Sequence, residues 1–268
     1  MLESAKKHLR IYQKFFLMYF KTILVYKTDF LLGVVNQVFS FVSSLALIAL
    51  IFTQIDYING WSFYELVIVY GIGRMVIYGF HLFCFNIVFL GEAYIINGKL
   101  DRLFLRPLNI LFQVFASRVN FHNLSDILAS TIMVLYASYQ IQVSVITLPN
   151  ILYLLMAIPS AIMVVAAVIL VFATMGFWIG PTKSLVNLFW KFRRFGRFPY
   201  GIYSLPLRVF FVTAMPIMFV SFFPASFILN RPEWVEYQAL TLFIGPLLFL
   251  LAYRFWLYGL SKYSSTGS

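Results

Sequence analysis

The sequence predicts an all-α membrane protein: six transmembrane helices follow an amphipathic interfacial helix, and both termini lie in the cytoplasm. Apolar residues make up 62% of the 268 residues, charged residues only 11%, and the mean hydropathy is +0.89. A soluble domain could not bury this much apolar surface. The apolar runs reach the roughly 20 residues that a helix needs to cross a bilayer. They lack the alternation over about 10 residues that is typical of a membrane β-strand.

The transmembrane domain is predicted over 29–262, and a polar cytoplasmic tail over 263–268. Six apolar runs define the spans, at about 30–52, 63–90, 124–140, 151–179, 208–228 and 238–258.

The lysines and arginines predict the orientation, because cytoplasmic loops are enriched in them. Of the 20 basic residues, only Arg231 lies in the short loops near 53–62, 141–149 and 229–237. The segment between spans four and five carries six: Lys183, Lys191, Arg193, Arg194, Arg197 and Arg208. We therefore expect this segment to be cytoplasmic, as we do both termini. The net charge of +11 does not indicate nucleic-acid binding, since the charges are spread among short segments that flank apolar runs.

Residues 1–28 form the predicted interfacial helix. At 100° per residue, basic and apolar residues take opposite faces: Lys7, Arg10, Lys14 and Lys21 against Leu9, Tyr12, Phe16, Phe20 and Ile23. Such a helix lies among the headgroups with its basic stripe toward anionic lipid. It either anchors the chain only or also braces the membrane-embedded part from the cytoplasmic side.

The segment GKLDRLFLRP, residues 98–107, places a short charged helix between spans two and three. Its apolar residues share one face and its charged residues flank that face: Leu100, Leu103 and Phe104, then Asp101, Arg102 and Arg106. Pro107 ends or kinks the helix. This pattern suits either a groove on a partner protein or an interfacial turn that faces lipid, and periodicity alone leaves both open.

The string GEAYIINGKL does not fit a phosphate-binding loop. Gly91 is followed by six residues before Gly98, and Lys99 is followed by Leu100 where the loop needs Ser or Thr. The three histidines lie on different segments without a carboxylate cluster, so the sequence predicts neither a metal site nor a catalytic set. A membrane-embedded enzyme is therefore disfavoured, and we expect the chain not to be an enzyme.

Arg74 lies near the middle of span two, on one face with Tyr70, Tyr78 and His81. A central arginine costs roughly 2.5–3.5 kcal/mol on insertion scales, so its side chain should face protein or water. One interpretation is a polar strip that lines a path or binds an anionic group. The other is an arginine satisfied by carbonyls or by a carboxylate of a neighbouring helix.

Span one carries a second polar face, formed by Asn36, Gln37, Ser40 and Ser44. Residues of this kind often hold helices together in lipid. A dimer interface is the plainest interpretation, and a substrate path is the alternative.

The layout and three strings resemble the membrane subunit of an ATP-binding-cassette exporter of the type-two permease class. The strings are NGKLDRLFLRPLNILFQ, GLSKYSSTGS and RFPYGIYSLPLRVFFVTAMPIMFVSFFPASFIL. In that class the loop after span two carries a coupling helix that docks on a separate ATPase subunit. By resemblance, the ATPase contacts are Gly98, Leu100, Asp101, Arg102, Leu103, Phe104, Arg106 and Pro107.

The resemblance implies an ATP-driven transporter, and an exporter of a hydrophobic or amphipathic small molecule, lipid or peptide. It implies a second permease chain, identical or related, in the inner membrane of a bacterium. ATP and Mg²⁺ would bind the partner, and this chain would hold no cofactor. It also implies that the outer half of span five is broken or re-entrant, which the kink at Pro224 fits. The alternative is an ion-driven secondary transporter, which would need no docking helix at 98–107.

Overall fold

The computed structural model of the chain describes residues 27–117, 119–121 and 123–264. The predicted interfacial helix, except for its last two residues, lies outside this part of the chain. So do the last four residues of the predicted tail.

The described residues are helical, without a β-strand among them; an isolated bridge joins Ile58 and Trp61. The α-helices are α1 (Lys27–Phe52), α2 (Phe63–Phe83), α3 (Lys99–Phe104), α4 (Ile110–Ala116), α5 (Asn123–Gln140), α6 (Leu148–Thr174), α7 (Gly176–Ile179), α8 (Lys183–Phe192), α9 (Leu205–Val212), α10 (Phe222–Ile228) and α11 (Val235–Leu260). Short 3₁₀ helices cover Phe85–Phe89, Arg193–Arg197, Tyr200–Ile202, Ile217–Phe219 and Pro232–Trp234, and a π-helix covers Leu90–Ile96.

The predicted all-α membrane class is confirmed. Within the described residues, four helical stretches are long and apolar enough to cross a membrane: Leu31–Phe52, Phe63–Phe83, Leu148–Ile179 and Pro232–Leu260. A fifth candidate is a pair, Leu205–Val212 and Ile217–Ile228, bent by 67°. Six spans and the side of each terminus remain predictions.

The second predicted span, 63–90, is not one continuous α-helix. The α-helix ends at Phe83, and 3₁₀ and π turns follow it. At Gly91 in the π-helix a Cβ atom would clash with Thr182 Oγ1 and lie 3.4 Å from the Ala173 carbonyl oxygen. The π-helix thus lies where the chain near Thr182 packs closely against Gly91. The hydropathy of the sequence gave no sign of this contact.

Helices α6 and α11 pack through a hydroxyl inserted into a proline-containing turn. Pro246 lies inside α11 and lacks an N–H group. Just before it, Gly245 N donates to Ser160 Oγ (3.1 Å), and Ser160 Oγ donates to the Thr241 carbonyl (2.5 Å). The Ser160 hydroxyl therefore makes hydrogen bonds to two backbone groups of one turn of α11, just before its proline.

The bundle has two ends, fixed by side-chain contacts. At the Trp61 end, Arg231 bonds Glu65 (2.6 Å) and the Gly60 carbonyl (3.2 Å). At the Tyr263 end, the Tyr263 hydroxyl donates to Asp101 Oδ1 (2.9 Å), and Lys183 N donates to Glu92 Oε1 (3.1 Å). Helix α2 runs from the Trp61 end toward the Tyr263 end.

The segment from Lys183 to Tyr203 runs antiparallel to α2 along its length. Trp190 lies 5.2 Å from the His81 ring, and Arg197 Cζ lies 5.6 Å from the Tyr70 ring. Gly201 packs against Asn59 at the Trp61 end. The segment therefore extends from the Tyr263 end to the Trp61 end, and the side of the membrane on which it lies remains a prediction. Two of its arginines, Arg193 and Arg197, lie over aromatic rings of α8 and α2.

Residues 205–228 enter the bundle and return to the same end. The segment begins beside Tyr203 and Gly201 at the Trp61 end, and Arg231 follows it there. Between them, Ser221 Oγ donates to the Gly196 carbonyl (2.5 Å), and a Cβ atom at Gly73 would lie 2.8 Å from Ser221 Cβ. Ser221 therefore lies beside the middle of α2. The predicted fifth span over 208–228 is thus a bent pair, either a broken span or a re-entrant loop, and we call it the re-entrant pair because both of its ends lie at the Trp61 end. It breaks where Pro216 cannot continue α9.

Candidate functional site

The first candidate site is α3 with the turn that follows it, at the Tyr263 end. Gly98, at φ +68°, turns the chain into the helix, and the Leu100 side chain is fully buried. Gln113 Nε2 donates to the carbonyls of Leu103 (3.1 Å) and Leu108 (3.0 Å), which ties the turn to α4. The element is thus held rigidly against the bundle.

Tyr263 braces α3 from the end of the chain. Its hydroxyl bonds Asp101, and its ring stacks on Phe104 with centroids 6.0 Å apart. Burial raises the pKa of Tyr263 to about 12, and the hydrogen bond to Asp101 acts in the same direction. The phenol therefore stays protonated, as a donor must. The segment that follows α11 is in this way linked directly to α3.

The outward surface of this element, the α3 surface, is both basic and apolar. Its exposed residues are Lys99, Arg102, Phe104, Leu105, Arg106 and Pro107. Leu105 is 85% exposed and Phe104 is 50% exposed, so both apolar side chains are available for contact with a partner.

Burial within the chain divides the residues of the predicted ATPase contact set, which itself remains a prediction. Leu100 and Gly98 are buried within the chain itself, and Leu103 is half-buried. Asp101 is half-buried and bonded to Tyr263. We expected the apolar side chains of α3 to face outward, toward a partner or lipid. Leu100 instead packs inward, because a helix this short packs one side on its own protein. Four residues of the predicted set do lie on the outward surface: Arg102, Phe104, Arg106 and Pro107. Leu105, which was not in the set, lies there as well.

The second candidate site is the polar strip of α2. Arg74 forms a buried ion pair with Asp126 of α5, and its Nη1 donates to the Tyr70 hydroxyl (3.0 Å). The Tyr78 ring centroid lies 4.7 Å from Arg74 Cζ. The sequence left two interpretations of Arg74 open, a polar strip and an arginine satisfied within the protein. The structure supports the second, because a carboxylate of a neighbouring helix pairs with Arg74. Asp126 was missed because it stands near the start of a predicted span, where acidic residues are common.

His81 and the polar face of α1 also make contacts within the chain. The His81 ring packs against Phe85 (4.8 Å) and Trp190 (5.2 Å). Gln37 Nε2 donates to Asn123 Oδ1 (3.1 Å), and its Oε1 accepts from Ser125 (3.0 Å). The rest of the predicted face divides: Asn36 and Ser40 are exposed, and Ser44 is half-buried.

A third site was not predicted. A cavity of about 40 Å³ lies between α2, the turn Arg193–Arg197 and the tip of the re-entrant pair. Four arginines line it, namely Arg74, Arg193, Arg194 and Arg197. We call it the arginine cavity. Sequence reasoning assigned three of these residues to a cytoplasmic loop; the signal that could have revealed them is the alternation of Trp, Phe and Tyr with the arginines over 189–203.

An apolar groove of about 380 Å³ lies on the other face of the same re-entrant tip. Its lining includes Thr213, Ala214 and Pro216 with Val171, Phe172 and Leu248 of the long helices. The tip therefore borders a cationic cavity through Ile217 and Ser221, and an apolar groove through Pro216. Within the described residues, no group of three His, Cys, Asp or Glu side chains could hold a metal ion.

One comparison with known proteins identifies a family for this chain. The family model described as "ABC-2 family transporter protein" matches residues 38–267. No curated protein and no solved structure matches the chain. Because the family model covers most of the 268 residues, the chain belongs to the ABC-2 family of transporter membrane proteins and is an ABC transporter permease.

Proposed function

We propose that this chain is the membrane subunit of an ATP-driven exporter, coupled to a separate ATPase through the α3 surface. The observation that carries the proposal is the combination of exposure and bracing at this surface. Phe104 and Leu105 are exposed among Lys99, Arg102 and Arg106, while the buried side of α3 is fixed by Leu100 and Tyr263. An apolar pair ringed by cations suits a groove with an acidic rim.

The proposed topology has six crossings, with the fifth moved from 208–228 to the segment between Lys183 and Tyr203. Helix α5 and this segment both lie along α2, as Tyr64–Tyr136 (6.4 Å) and Trp190–Phe80 (5.9 Å) illustrate. The Tyr263 end is the cytoplasmic one, because Lys99, Arg102, Arg106 and Lys262 cluster there. The membrane is the inner membrane of a bacterium.

The polar stripe of the fifth crossing supports a path between two permease chains. Ser184, Asn187, Lys191 and Arg194 recur at helical spacing on the exposed side, while Val186 and Phe189 are buried on the other. Charged side chains at this depth must face water or protein rather than lipid. A second copy, or a related chain, would close the path, and α1 offers further exposed surface at Asn36 and Ser40.

The path is driven from the α3 surface. Closure of the ATPase pair would push α3, which Tyr263 ties to the end of α11. A movement of α11 would reach the re-entrant tip through the apolar groove that both line. Such a bundle switches between two access states when ATP binding favours one of them. ATP and Mg²⁺ would be held by the ATPase subunit, and this chain would carry no cofactor.

The cargo that fits is hydrophobic or amphipathic. The groove at the re-entrant tip is lined almost entirely by apolar side chains. Family membership favours the ATP-driven class over the ion-driven alternative.

The test is copurification of the full chain from its native membrane in mild detergent, with the masses of the copurifying proteins identified. We expect a stoichiometric ATPase with wild type, and its loss with Arg102→Glu plus Leu105→Asp, since both changed residues are exposed.

The matched control places two acids on exposed residues of the opposite end, as Ile55→Asp plus Tyr57→Glu. This variant should keep the ATPase. An active wild-type preparation without any ATPase would refute the coupling proposal, and so would equal losses in both double variants.

A further inference from the structure

The arginine cavity holds more positive charge than its surroundings neutralise. Asp126 pairs with Arg74. Within the described residues, no carboxylate lies within 4.0 Å of Arg193, Arg194 or Arg197. In this part of the chain, four guanidinium groups against one carboxylate leave an excess of three positive charges around a cavity of about 40 Å³.

Aromatic and backbone contacts hold these charges in place. Arg193 Cζ lies 5.6 Å from the Trp190 ring, and Arg197 Cζ lies 5.6 Å from the Tyr70 ring. Arg197 Nε donates to the Arg194 carbonyl (3.1 Å). Cation–π contacts orient a guanidinium without neutralising it, so the cluster is organised in advance and lacks a counter-ion for three of its arginines among the described side chains.

Two hydrogen-bond donors in the lining are also unused within the described residues. Arg74 is only 5% exposed, yet its Nε has no acceptor there. The Tyr70 hydroxyl accepts from Arg74 Nη1, which leaves its own hydrogen to donate. Buried donors without acceptors are rare in native proteins, and an anionic oxygen would satisfy both.

The size and the access of the cavity limit what can bind. About 40 Å³ is room for two or three water molecules, or for one phosphate or carboxylate group. Arg193 and Arg194 are exposed, so the cavity opens on the surface of the chain. The apolar groove bordered by the same re-entrant tip offers apolar surface close by.

We propose that the arginine cavity binds the phosphate or carboxylate head of an anionic amphiphile, and that the transported molecule carries such a group. That the bound molecule is transported rests on the proposed function. That the cavity binds an anion rests on geometry alone. Planar guanidinium groups bind both kinds of anion through paired hydrogen bonds.

The test measures the melting temperature of the purified full chain in a neutral detergent. The probes are dihexanoyl phosphatidic acid, dihexanoyl phosphatidylcholine and inorganic phosphate, each titrated separately. A ligand that binds the folded state raises the melting temperature with concentration. We expect saturable stabilisation by phosphatidic acid and little by phosphatidylcholine.

Two variants and a control locate the binding. Arg194→Gln changes an exposed side chain and should weaken the apparent affinity roughly 10-fold or more. Arg197→Lys keeps the charge without the planar fork and should lose less than Arg194→Gln. Arg254→Gln, an exposed arginine on α11 outside the cavity lining, should bind as wild type does.

The outcomes distinguish the kind of ligand and can refute the site. Stabilisation by inorganic phosphate equal to that by phosphatidic acid would support the anion site with a soluble anion as its ligand. Equal responses to the anionic and zwitterionic lipids would overturn the proposal, as would equal losses in Arg194→Gln and Arg254→Gln. The melting assay needs no ATPase. The anion site can therefore be confirmed even if no ATPase copurifies, and it can be refuted even if one does.

Discussion

Arg74 and Asp126 form an ion pair between α2 and α5, and their side chains are only 6% and 2% exposed. The pair is incompletely satisfied: within the described residues, Arg74 Nε and Asp126 Oδ2 have no hydrogen-bond partner. A buried pair of this kind stabilises little by itself, because desolvation offsets its attraction. Removing one partner, however, leaves an uncompensated buried charge.

Asp126→Asn should therefore destabilise the protein strongly, by about 3–5 kcal/mol. The measurement is the melting temperature in detergent, together with the yield of monodisperse protein. Replacing both partners, as Arg74→Met plus Asp126→Leu, should recover much of the loss. Glu65→Gln is the matched control: the Glu65–Arg231 pair is more exposed, so we expect a smaller loss. Equal losses in Asp126→Asn and Glu65→Gln would contradict the central role of the buried pair.

The bridge between Ser160 and α11 predicts a second pair of effects. Ser160→Ala would remove both hydrogen bonds between the Ser160 hydroxyl and the backbone of α11, at a cost of about 1–3 kcal/mol. Gly245→Ala should cost more, because its Cβ atom would clash with the Ser160 carbonyl, which belongs to the backbone and cannot rotate away.

Thermal unfolding in detergent checks this order of effects. Ser261→Ala removes an exposed hydroxyl that bonds only the nearby Tyr258 carbonyl and serves as the control. A Gly245→Ala protein as stable as wild type would show that α6 and α11 do not approach as closely as described.

The sequence predicted the long apolar helices well, because run length and hydropathy follow directly from the bilayer. The sequence also placed Arg74 correctly inside a helix, where its charge needs a partner within the protein or water. The partner could not be named, because the pairing with Asp126 depends on how α5 packs along α2. The outward part of the α3 surface was predicted from its charges. The inward turn of Leu100 was not, since periodicity fixes a face but not what that face meets.

The largest difference between the prediction and the proposed topology has a specific cause. Counting lysines and arginines assigned the segment between Lys183 and Tyr203 to one side of the membrane, because arginines usually avoid the hydrocarbon region. Here they stack on Trp190 and Tyr70 and border a cavity. If the proposed fifth crossing is right, the count of basic residues misleads at this segment because its arginines border a cavity, where a functional site is expected.

Tyr263→Phe should weaken the link between α3 and the end of α11 while preserving the ring stack with Phe104. Losing the hydroxyl leaves Asp101 without this donor, so we expect a loss of about 1 kcal/mol. In the complex with the ATPase, hydrolysis should persist while its stimulation by cargo falls. Lys262→Ala, next to it in the sequence, is the control and should change neither. Unaltered stimulation in Tyr263→Phe would argue against coupling through Tyr263.

The same hydroxyl makes a pH prediction. The pKa of Tyr263 is raised from 10.0 to about 12 in the folded protein, so its stabilising effect is complete below the unfolded pKa. It is lost as the pH rises through the folded pKa. The difference in melting temperature between wild type and Tyr263→Phe should hold constant from about pH 6 to 9 and shrink above about pH 10. A difference that changes near neutral pH would point to another titrating group.

The proposed fifth crossing gives the last prediction, which cysteine labelling in sealed vesicles can decide. In a Cys84→Ala background, a membrane-impermeant maleimide should label Ser184→Cys from one side and Ser204→Cys from the other, since both serines are exposed. Tyr57→Cys and Lys262→Cys are references for the Trp61 and Tyr263 ends. Ser204→Cys should follow Tyr57→Cys, because Gly201 packs against Asn59, and Ser184→Cys should follow Lys262→Cys, because Lys183 bonds Glu92. Labelling of both serine positions from the side of Lys262→Cys would restore the cytoplasmic loop and remove the arginine cavity from the membrane interior.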